Sequence, residues 1–485
     1  MTSALDKLRT WITADDPRIA MSGVIFVAAL AGILVGALFG GLGPIIAIGL
    51  VAALTVGILM LRSTQVGLFA LVALICLLPY GALPFTIGFR PTFLDLALGA
   101  LFGVWALRLI TGQQRTFISS PLGMLIFIFQ GWALFIFIFG LRYGGLNVTV
   151  ARNFLEVLLS VSLFFLVLNQ VKTLEALNQL SQIIILTGGT AAGLGIFFYV
   201  IPANWTVQIL SLLRVFQYPT EGILRYIEDD PEQPMRAIST SIDPNALGGL
   251  LVFLTIITVA HLLAAKPIMP RRYLWLIGGL MLVCLYLTYS RGSLLGVVAG
   301  LGLMSLLRYR KLIWLMLIVA VLVVILPQTQ LYVERFVEGI QGEDLATQMR
   351  FGEYKDAFEL INRYPLTGVG FFGTPDIDVY VGVSSVYLLL AQQVGLIGAG
   401  LYVLIGLVYL VIILLALRRL PPGHSLDAPL LGYGFAILGA MVGGVFDHFY
   451  FNLTFIHIAA LYWLTLGLGM AAVLLGQQES GGVKG

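Results

Sequence analysis

The densest group of charged side chains in this chain lies between residues 327 and 382. Arg335, Arg350, Lys355 and Arg363 stand there among many carboxylates, although only 11% of all residues are charged. Arginine presents a planar fork of N–H donors that stays charged and fits phosphate, so such a segment can bind an anionic ligand. The carboxylates can equally pair with these arginines. Polar loops of this length are usually functional or disordered, and the helix and turn patterns within this one predict a folded segment.

Arg291 is a second chemical candidate. It lies in the segment 289–293, with the sequence YSRGS, which interrupts an apolar stretch from 274 to 307. A charge at a membrane boundary is costly unless it lines a polar cavity or meets an anion. A side chain that reaches out to lipid headgroups is the alternative. Gly292 is expected to permit the tight turn between two spans.

The polar connection 202–244 leads into another apolar segment. Asp243 is well placed to cap that helix, and Pro244 suits its first position. Helix N-termini also bind anions, so a ligand-binding role stays open beside the plain capping role. The candidate ligand-binding residues of this region are Arg214, Arg236 and Asn245.

Composition indicates which elements must position these residues. Of the 485 residues, 59% are hydrophobic, which is more apolar surface than a soluble protein can bury. Most of the chain must therefore lie in a bilayer, where backbone groups are bonded within each segment and the spans are helices. The predicted fold is an all-α integral membrane protein with about 12–14 transmembrane helices, in a single polytopic domain over 1–485.

The N-terminal region predicts a membrane anchor rather than a removed leader. The apolar run from Val24 is expected to form the first span, at 22–39, because no small-residue cleavage site and soluble domain follow it. The preceding segment 5–12 is amphipathic and is expected to lie on the inner membrane surface. Cys76 and Cys284 fall in apolar runs, so they are expected to be buried rather than disulfide-bonded.

The distribution of Lys and Arg predicts the orientation of the chain. With an inside N-terminus, every cytoplasmic turn carries basic residues, as the positive-inside rule requires. Both termini are then cytoplasmic, and the two long polar segments, 202–244 and 327–382, face outward. Nearly all the basic residues left on the outer side are arginines. This bias favours an anionic ligand on the outer face.

Residues 345–364 predict an amphipathic helix inside the large outer loop, because apolar residues recur there at helical spacing. Arg350, Glu353 and Tyr354 are then neighbours across one turn. Pro365 ends the helix, and the glycines at 368, 370 and 373 are expected to form a flexible exit. Such a helix is either a plain cover for the membrane bundle or a lid over a cavity.

Several motifs in this order resemble the O-antigen ligase and O-antigen polymerase family. The similarity covers about 235–400, and no single motif carries it; their order and spacing do. The similar segments are Ser241 to Gly249, Tyr289-Ser290-Arg291-Gly292, Arg350 at the head of an amphipathic helix, Tyr364-Pro365-Leu366-Thr367-Gly368-Val369-Gly370, and Tyr387-Leu388 with Gly395-Leu396-Ile397-Gly398.

The resemblance implies a metal-independent, multi-pass glycosyltransferase of the cytoplasmic membrane that needs no cofactor. The donor would be a glycan on an undecaprenyl-diphosphate carrier in the outer leaflet. The acceptor would be a lipid A core sugar in a ligase, or another lipid-linked repeat unit in a polymerase. Membrane lipid is a further partner, and nucleic acid is not. Arg291 and Arg350 match family arginines thought to hold the diphosphate, whose developing charge they can stabilise without a metal.

One departure from the family pattern concerns the base. Ligases carry a histidine and an asparagine shortly before the Tyr-Leu pair, where this chain has Ser384 and Ser385. A serine is not a general base at neutral pH without help. The possible replacements are Glu353, Asp376, Asp378, Asp447 and His448. The other predicted substrate-binding residues of the outer face are Arg335, Tyr354 and Ser384.

The remaining histidines are expected to have structural places, and two other functions stay open. His261 and His457 lie on apolar helices and are expected to pack in the core, and His424 lies in a cytoplasmic turn. With four scattered histidines and no cysteine pair, a metal site is not expected. A transporter or flippase of an anionic substrate is the alternative function, but no internal repeat is visible. A structural partner of a polysaccharide assembly complex is a third.

Overall fold

A computed structural model describes residues 43–86, 88–114, 116–373 and 382–481, together with scattered positions before residue 43. Most of the predicted first span at 22–39 and of the amphipathic start lies outside the described residues. Asp376 and Asp378 also lie outside them. The chain forms two compact units, Met1–Arg62 and Ser63–Gly485. The first unit contains helix α1 (Pro44–Arg62). The single polytopic domain over 1–485 stays a prediction.

The second unit consists of helices joined by loops and turns, and its only β-pairing among the described residues is two isolated bridges. Its first helices are α2 (Thr64–Leu77), α3 (Phe93–Ile110), α4 (Pro121–Gly140), α5 (Val148–Gln170), α6 (Leu174–Val200) and α7 (Ala203–Ser211). The remaining helices are α8 (Pro244–Leu263), α9 (Arg271–Leu287), α10 (Arg291–Leu307), α11 (Arg310–Ile325), α12 (Gln330–Gln341), α13 (Leu345–Arg363), α14 (Val386–Arg419), α15 (Asp427–Gly443) and α16 (Ile456–Gly481). Short 3-10 helices occupy Leu212–Phe216, Ile227–Asp229, Ser239–Ser241 and Pro327–Thr329.

The predicted all-α integral membrane fold is confirmed. Within the described residues, seven helices are long and apolar enough to cross a membrane: α3, α4, α5, α6, α8, α14 and α16. An eighth crossing results if α11 and the segment Gln330–Arg363, bent by 94°, count as one broken span. Shorter apolar helices, α2, α10 and α15 among them, can cross by tilting less or by thinning the bilayer. The predicted total of 12–14 therefore stays a prediction.

Two helices, α8 and α16, form the centre of the second unit and are almost wholly buried inside it. Helix α8 packs on α15, α9 and α10, whereas α16 packs on α5 and α15. His261 on α8 and His457 on α16 are buried among these helices, in line with the predicted packing role. Cys76 and Cys284 are buried free thiols, as expected.

Helices α10 and α15 approach each other closely because glycines recur every fourth residue on the facing side of α10. We call these residues, Gly292, Gly296 and Gly300, the glycine ridge of α10. A methyl group on Gly296 would lie 2.6 Å from the carbonyl oxygen of Gly439, and one on Gly300 would lie 2.7 Å from that of Phe435. Small residues at this spacing let two backbones touch in membrane helix pairs. The contact fixes α10, and therefore Arg291 at its first position, against α15.

Helix α14 is broken at Gly395, whose backbone has φ 70° and ψ 176°. The loop after α13 docks on this break: Val369 and Gly370 donate N–H bonds to the carbonyls of Gln392 and Gln393. A side chain on Gly368 would collide with the backbone of α14. The predicted flexible exit is therefore wrong for Gly368 and Gly370, because backbone-to-backbone packing holds both of them.

The glycine ridge of α10 gives the first testable prediction. Gly296→Ala should destabilise the protein by about 1–3 kcal/mol, because the added methyl group forces apart two backbones in contact. Gly302→Ala is the matched control on the same helix, since nothing lies within 4 Å of a methyl group there. The control should be neutral or slightly stabilising. Thermal unfolding of the purified variants in detergent measures the difference, and equal unfolding temperatures would contradict the close contact.

Candidate active site

Arg291 is bound within the protein by two other segments. Its Nη1 donates to the carbonyl oxygen of Arg335 at 2.6 Å, and its Nη2 forms an ion pair with Oδ2 of Asp344 at 2.6 Å. The side chain of Asp344 is fully buried, and its Oδ1 has no hydrogen-bond partner in the described part of the chain. A side chain at Gly339 would collide with the guanidinium of Arg291. We call these residues, Arg291, Arg335, Gly339 and Asp344, the Arg291 network.

Electrostatics favour the charged form of Asp344 in this network. Burial opposes its ionisation, but hydrogen bonds from Arg291 and Thr347 and the nearby guanidinium charges outweigh that effect. The pKa of the carboxyl is consequently lower than its ordinary value. Asp344 directly precedes α13, where aspartate commonly caps a helix, yet its side chain makes no cap bond. Its carboxylate holds the arginine instead.

The turn that presents Arg291 differs from the predicted one. Tyr289 adopts the left-handed conformation, with φ 52°, which is uncommon for a residue other than glycine. The expected turn role of Gly292 is wrong, because this residue lies inside α10. A methyl group on Gly292 would lie 2.8 Å from Cβ of Phe446, so the glycine serves the packing against the segment after α15.

Arg236 is a half-buried cation whose hydrogen bonds go only to neutral groups. Its Nε donates to the carbonyl oxygen of Thr288 at 2.8 Å, and its Nη2 donates to Oδ1 of Asn245 at 2.5 Å. Burial lowers the pKa of the guanidinium to about 10, which leaves it charged at neutral pH. Asp243 caps α8 as predicted, by accepting the N–H of Ala246 at 2.7 Å. The hydrogen bond from Arg236 brings it into contact with Asn245, another predicted ligand-binding residue.

The two predicted outer loops meet at Arg335. Its Nη1 lies 3.7 Å from Oε1 of Glu228, so the segments 327–382 and 202–244 share an ion pair. Burial, and then the like charge of Arg291, lower the pKa of Arg335. Arg335 also acts electrostatically on Arg236. Three guanidinium groups therefore share one region, with the carboxylates of Asp344 and Glu228 beside them.

The segment after α15 folds back onto the beginning of α14. The N–H of Val386 donates to the carbonyl oxygens of Gly444 and Asp447, at 2.9 and 3.0 Å. Tyr387 adds a bond from its hydroxyl group to the carbonyl oxygen of Met441 at 2.6 Å. The ring of His448 is hydrogen-bonded to the Val383 backbone. Asp447 and His448 thus lie beside Ser384 and Ser385, where the resembling ligases carry their histidine.

Asp447 is a buried carboxyl group, only 7% exposed. Burial raises its pKa to about 7, and the positive charge of Arg350 limits that rise. The charges of Arg236, Asp243 and Glu353 also act on it, so Asp447 links the α8 end of the site to α13. Burial lowers the pKa of His448, whose Nδ1 is buried without a partner in the described residues.

Helix α13 contributes three neighbouring side chains, as its predicted spacing requires. Oε2 of Glu353 accepts the backbone N–H of Ser384 at 2.8 Å, and the hydroxyl group of Tyr354 donates to the Ser384 carbonyl oxygen at 3.4 Å. Burial raises the pKa of Tyr354. Arg350 is half-buried, and no described residue forms a hydrogen bond or an ion pair with its guanidinium. Its N–H donors are available beside Asp447.

Most of the predicted site residues come together, but not all of them. Arg291, Arg335, Arg236 and Asn245 occupy one half of the region, and Arg350, Glu353, Tyr354, Ser384, Asp447 and His448 occupy the other. Arg214 is exposed in the 3-10 helix Leu212–Phe216, and none of the described hydrogen bonds or ion pairs joins it to the others. His424 lies near Glu479 at 3.3 Å, away from this region. The described residues contain no group of three or more potential metal ligands.

Two residues of the Arg291 network were missed as candidates from the sequence. Asp344 is one of many carboxylates in the polar loop, and its only local signal is its position directly before an amphipathic helix. Gly339 carries no signal, because its importance depends on an arginine that is distant in the sequence. Both roles arise from the way that α12 and α13 pack over the start of α10.

The model of the family described as O-antigen ligase matches residues 276–403. The match contains Arg291, Asp344, Arg350 and Ser384, and it ends before Asp447. The predicted resemblance to this family is confirmed for the matched segment, which is typical of a glycosyl-transferring membrane enzyme. No curated protein matches the chain.

The ion pair of the Arg291 network gives the second prediction. Asp344→Asn should destabilise the protein by about 3 kcal/mol at neutral pH, because it leaves a mostly buried guanidinium without its counter-ion. The pKa of Asp344 is lowered in the folded protein, so its contribution is present above the unfolded-state pKa and is lost as pH falls through the folded-state pKa. The stability difference between wild type and variant should therefore shrink in acid. Thermal unfolding in detergent over a pH series measures it.

Glu343→Gln is the matched control for this prediction, because Glu343 is the exposed neighbour of Asp344. Removing its charge should change the unfolding temperature little at any pH. A loss of stability that is the same for both variants, or a difference that does not depend on pH, would show that the Arg291–Asp344 pair does not stabilise the fold.

Proposed function

We propose that this protein transfers glycan from an undecaprenyl-diphosphate carrier to a sugar hydroxyl group, at the outer face of the cytoplasmic membrane, with both termini in the cytoplasm. The observation that carries the proposal is the position of Arg350. It lies inside the segment that matches O-antigen ligases, its donors are unpaired among the described residues, and it acts electrostatically on the buried Asp447. A free cation beside a carboxyl group of raised pKa suits a reaction that releases a diphosphate and removes a proton.

The arginines would stabilise the leaving group. In the proposed reaction the acceptor oxygen forms a bond to the anomeric carbon as the bond from that carbon to the diphosphate oxygen breaks. The electron pair of the broken bond stays on the diphosphate, whose growing charge Arg350 and Arg291 would neutralise. Arg350 can bind the ligand directly. Arg291 would exchange its bond to Asp344 for one to phosphate.

Asp447 is the base that the site supports best. A general base works most efficiently when its pKa is close to the working pH, and burial brings that of Asp447 to about 7. It would take the proton of the acceptor hydroxyl group. Glu353 is less suited, because the backbone N–H of Ser384 already occupies one of its carboxylate oxygens. His448 would remain neutral beside Asp447.

The transporter alternative gains little from the broken helix α14. Broken membrane helices in transporters expose backbone groups that bind the transported ion. Here the break is sealed: the Val394 carbonyl oxygen accepts the indole N–H of Trp132 at 2.8 Å, and the Leu396 N–H donates to Pro365 at 2.8 Å. Two further carbonyl oxygens at the break, of Gln392 and Gln393, accept N–H bonds from the loop after α13.

Arg291→Lys tests the leaving-group role. Lysine keeps the charge but loses the planar fork, so transfer should fall by about 100-fold or more while the protein still inserts in the membrane. The measurement is glycan transfer from lipid-linked oligosaccharide by the purified variant. Arg310→Lys, at the start of α11, is the control and should transfer normally. If Asp344→Asn lost as much transfer as Arg291→Lys, the role of Arg291 would be the ion pair alone.

The pH dependence of transfer tests the base. Activity of the wild type should rise with pH through about 7, because Asp447 must lose its proton before it can accept another. Asp447→Asn should lose about 100-fold or more of the activity and also this pH limb. The variant should not unfold at a lower temperature at pH 8, because removing a buried charge removes its desolvation cost. An unchanged pH profile in the variant would assign the proton to another group.

A direct assay decides between the two family activities. Purified protein would be incubated with lipid-linked oligosaccharide, alone and with a lipid A core acceptor. A ladder of products identifies a polymerase, and a single adduct that requires the acceptor identifies a ligase. Uptake of the lipid-linked glycan across liposomes without any transfer would overturn the proposal.

A further inference from the structure

The hydroxyl group of Tyr332, on α12, is buried beside the Arg291 network without a hydrogen-bond partner among the described residues. Only 4% of the residue is exposed. A buried donor that is left unpaired lowers stability, so native proteins seldom contain one without a reason. A ligand that accepts a hydrogen bond at this point would satisfy it.

The ring of Tyr332 is held in place by aromatic stacking. Its centroid lies 5.1 Å from that of Tyr286, 5.7 Å from that of Tyr289 and 6.3 Å from that of Phe336, with interplanar angles below 30°. Tyr286 and Tyr289 belong to the segment that leads to Arg291. The stack therefore fixes the hydroxyl group relative to the arginine before any ligand arrives, which limits the entropy lost on binding.

The charges around this hydroxyl group favour an anion. The guanidinium groups of Arg236 and Arg291 both act on it electrostatically. Arg236 is bound only to the neutral oxygens of Asn245 and Thr288, and no described carboxylate lies within ion-pair distance of it. Asp243 and Asp447 act on Arg236 electrostatically but form no ion pair with it. A half-buried arginine that is hydrogen-bonded only to neutral oxygens and an unpaired phenol are complementary to the oxygens of a phosphate.

We propose that the hydroxyl group of Tyr332 donates a hydrogen bond to a phosphate oxygen of the diphosphate that the donor substrate carries, while Arg236 binds the same group. The proposal rests on the glycosyltransferase function proposed above, and it adds Tyr332 as a binding residue on α12. It separates two tasks: Tyr332 and Arg236 bind the diphosphate of the bound donor, and Arg350 faces the reacting centre beside Asp447.

Tyr332→Phe tests this role, because it removes a single oxygen atom and keeps the aromatic stack. The full-length protein in detergent would be titrated with farnesyl diphosphate and, separately, with inorganic pyrophosphate. The affinity of the variant should be about tenfold lower, as expected for the loss of one hydrogen bond to a charged group. In the transfer assay the KM for the lipid-linked donor should rise by a similar factor, and kcat should change less. Tyr286→Phe, in the same stack, is the control and should bind as the wild type does.

The two probes separate the possible sources of the anion. If the variant binds both probes more weakly, Tyr332 recognises the diphosphate group itself. If it binds only farnesyl diphosphate more weakly, Tyr332 recognises the diphosphate only when a lipid is attached. Both results support the proposal. Unchanged affinity for both, or a loss confined to pyrophosphate, would overturn the proposal. A lower unfolding temperature of Tyr332→Phe without ligand would also overturn it, because the hydroxyl group would then have a partner within the protein.

The outcome is distinguishable from failure of the proposed function. If the wild type transfers glycan and Tyr332→Phe binds and reacts as the wild type does, only the role of Tyr332 is wrong. If the wild type transfers no glycan but Tyr332→Phe loses affinity for farnesyl diphosphate, the diphosphate site stands and the glycosyltransferase function fails.

Discussion

The contact between the glycine ridge of α10 and the backbone of α15 positions the two segments that carry Arg291 and Asp447. The backbones of Gly296 and Gly439 are in contact, so there is no room for a methyl group between the two helices. The first residue of α10 is Arg291, and the segment that follows α15 carries Asp447. A short-range packing constraint between two apolar helices therefore holds the starting points of both segments. Polar contacts then orient the groups themselves: Arg335 and Asp344 bind the guanidinium of Arg291, and the Asp447 carbonyl oxygen accepts the N–H of Val386.

The arginines of the candidate site differ in whether they have a partner of opposite charge. Arg291 has a buried counter-ion and a backbone acceptor. Arg236 has neutral partners only, and Arg350 has no partner among the described residues. Since burying unpaired charge is costly, an anion bound beside Arg236 and Arg350, as we propose, would lower that cost.

Ser384 and Ser385 stand where the resemblance to O-antigen ligases led us to expect a histidine and an asparagine. Their backbone is fixed by Glu353 and Tyr354 from α13, and the neighbouring Val386 is fixed by the carbonyl oxygen of Asp447. The backbone at this location is therefore held by hydrogen bonds with α13 and with the segment after α15. The titratable groups reach it from another segment, after α15, that lies outside the part of the chain resembling O-antigen ligases.

The sequence by itself determined the all-α membrane fold and the amphipathic helix that ends before Pro365, because composition and periodicity are local properties of the chain. It also singled out the arginines that we propose bind an anion. It could not determine which carboxylate pairs with Arg291, or that Gly292, Gly368 and Gly370 serve close packing rather than turns or flexibility. Those roles, and the position of Asp447 beside Ser384, were decided only by the tertiary structure. They depend on which helices pack together, and residues such as Gly339 acquire their function only from a side chain that is distant in the sequence.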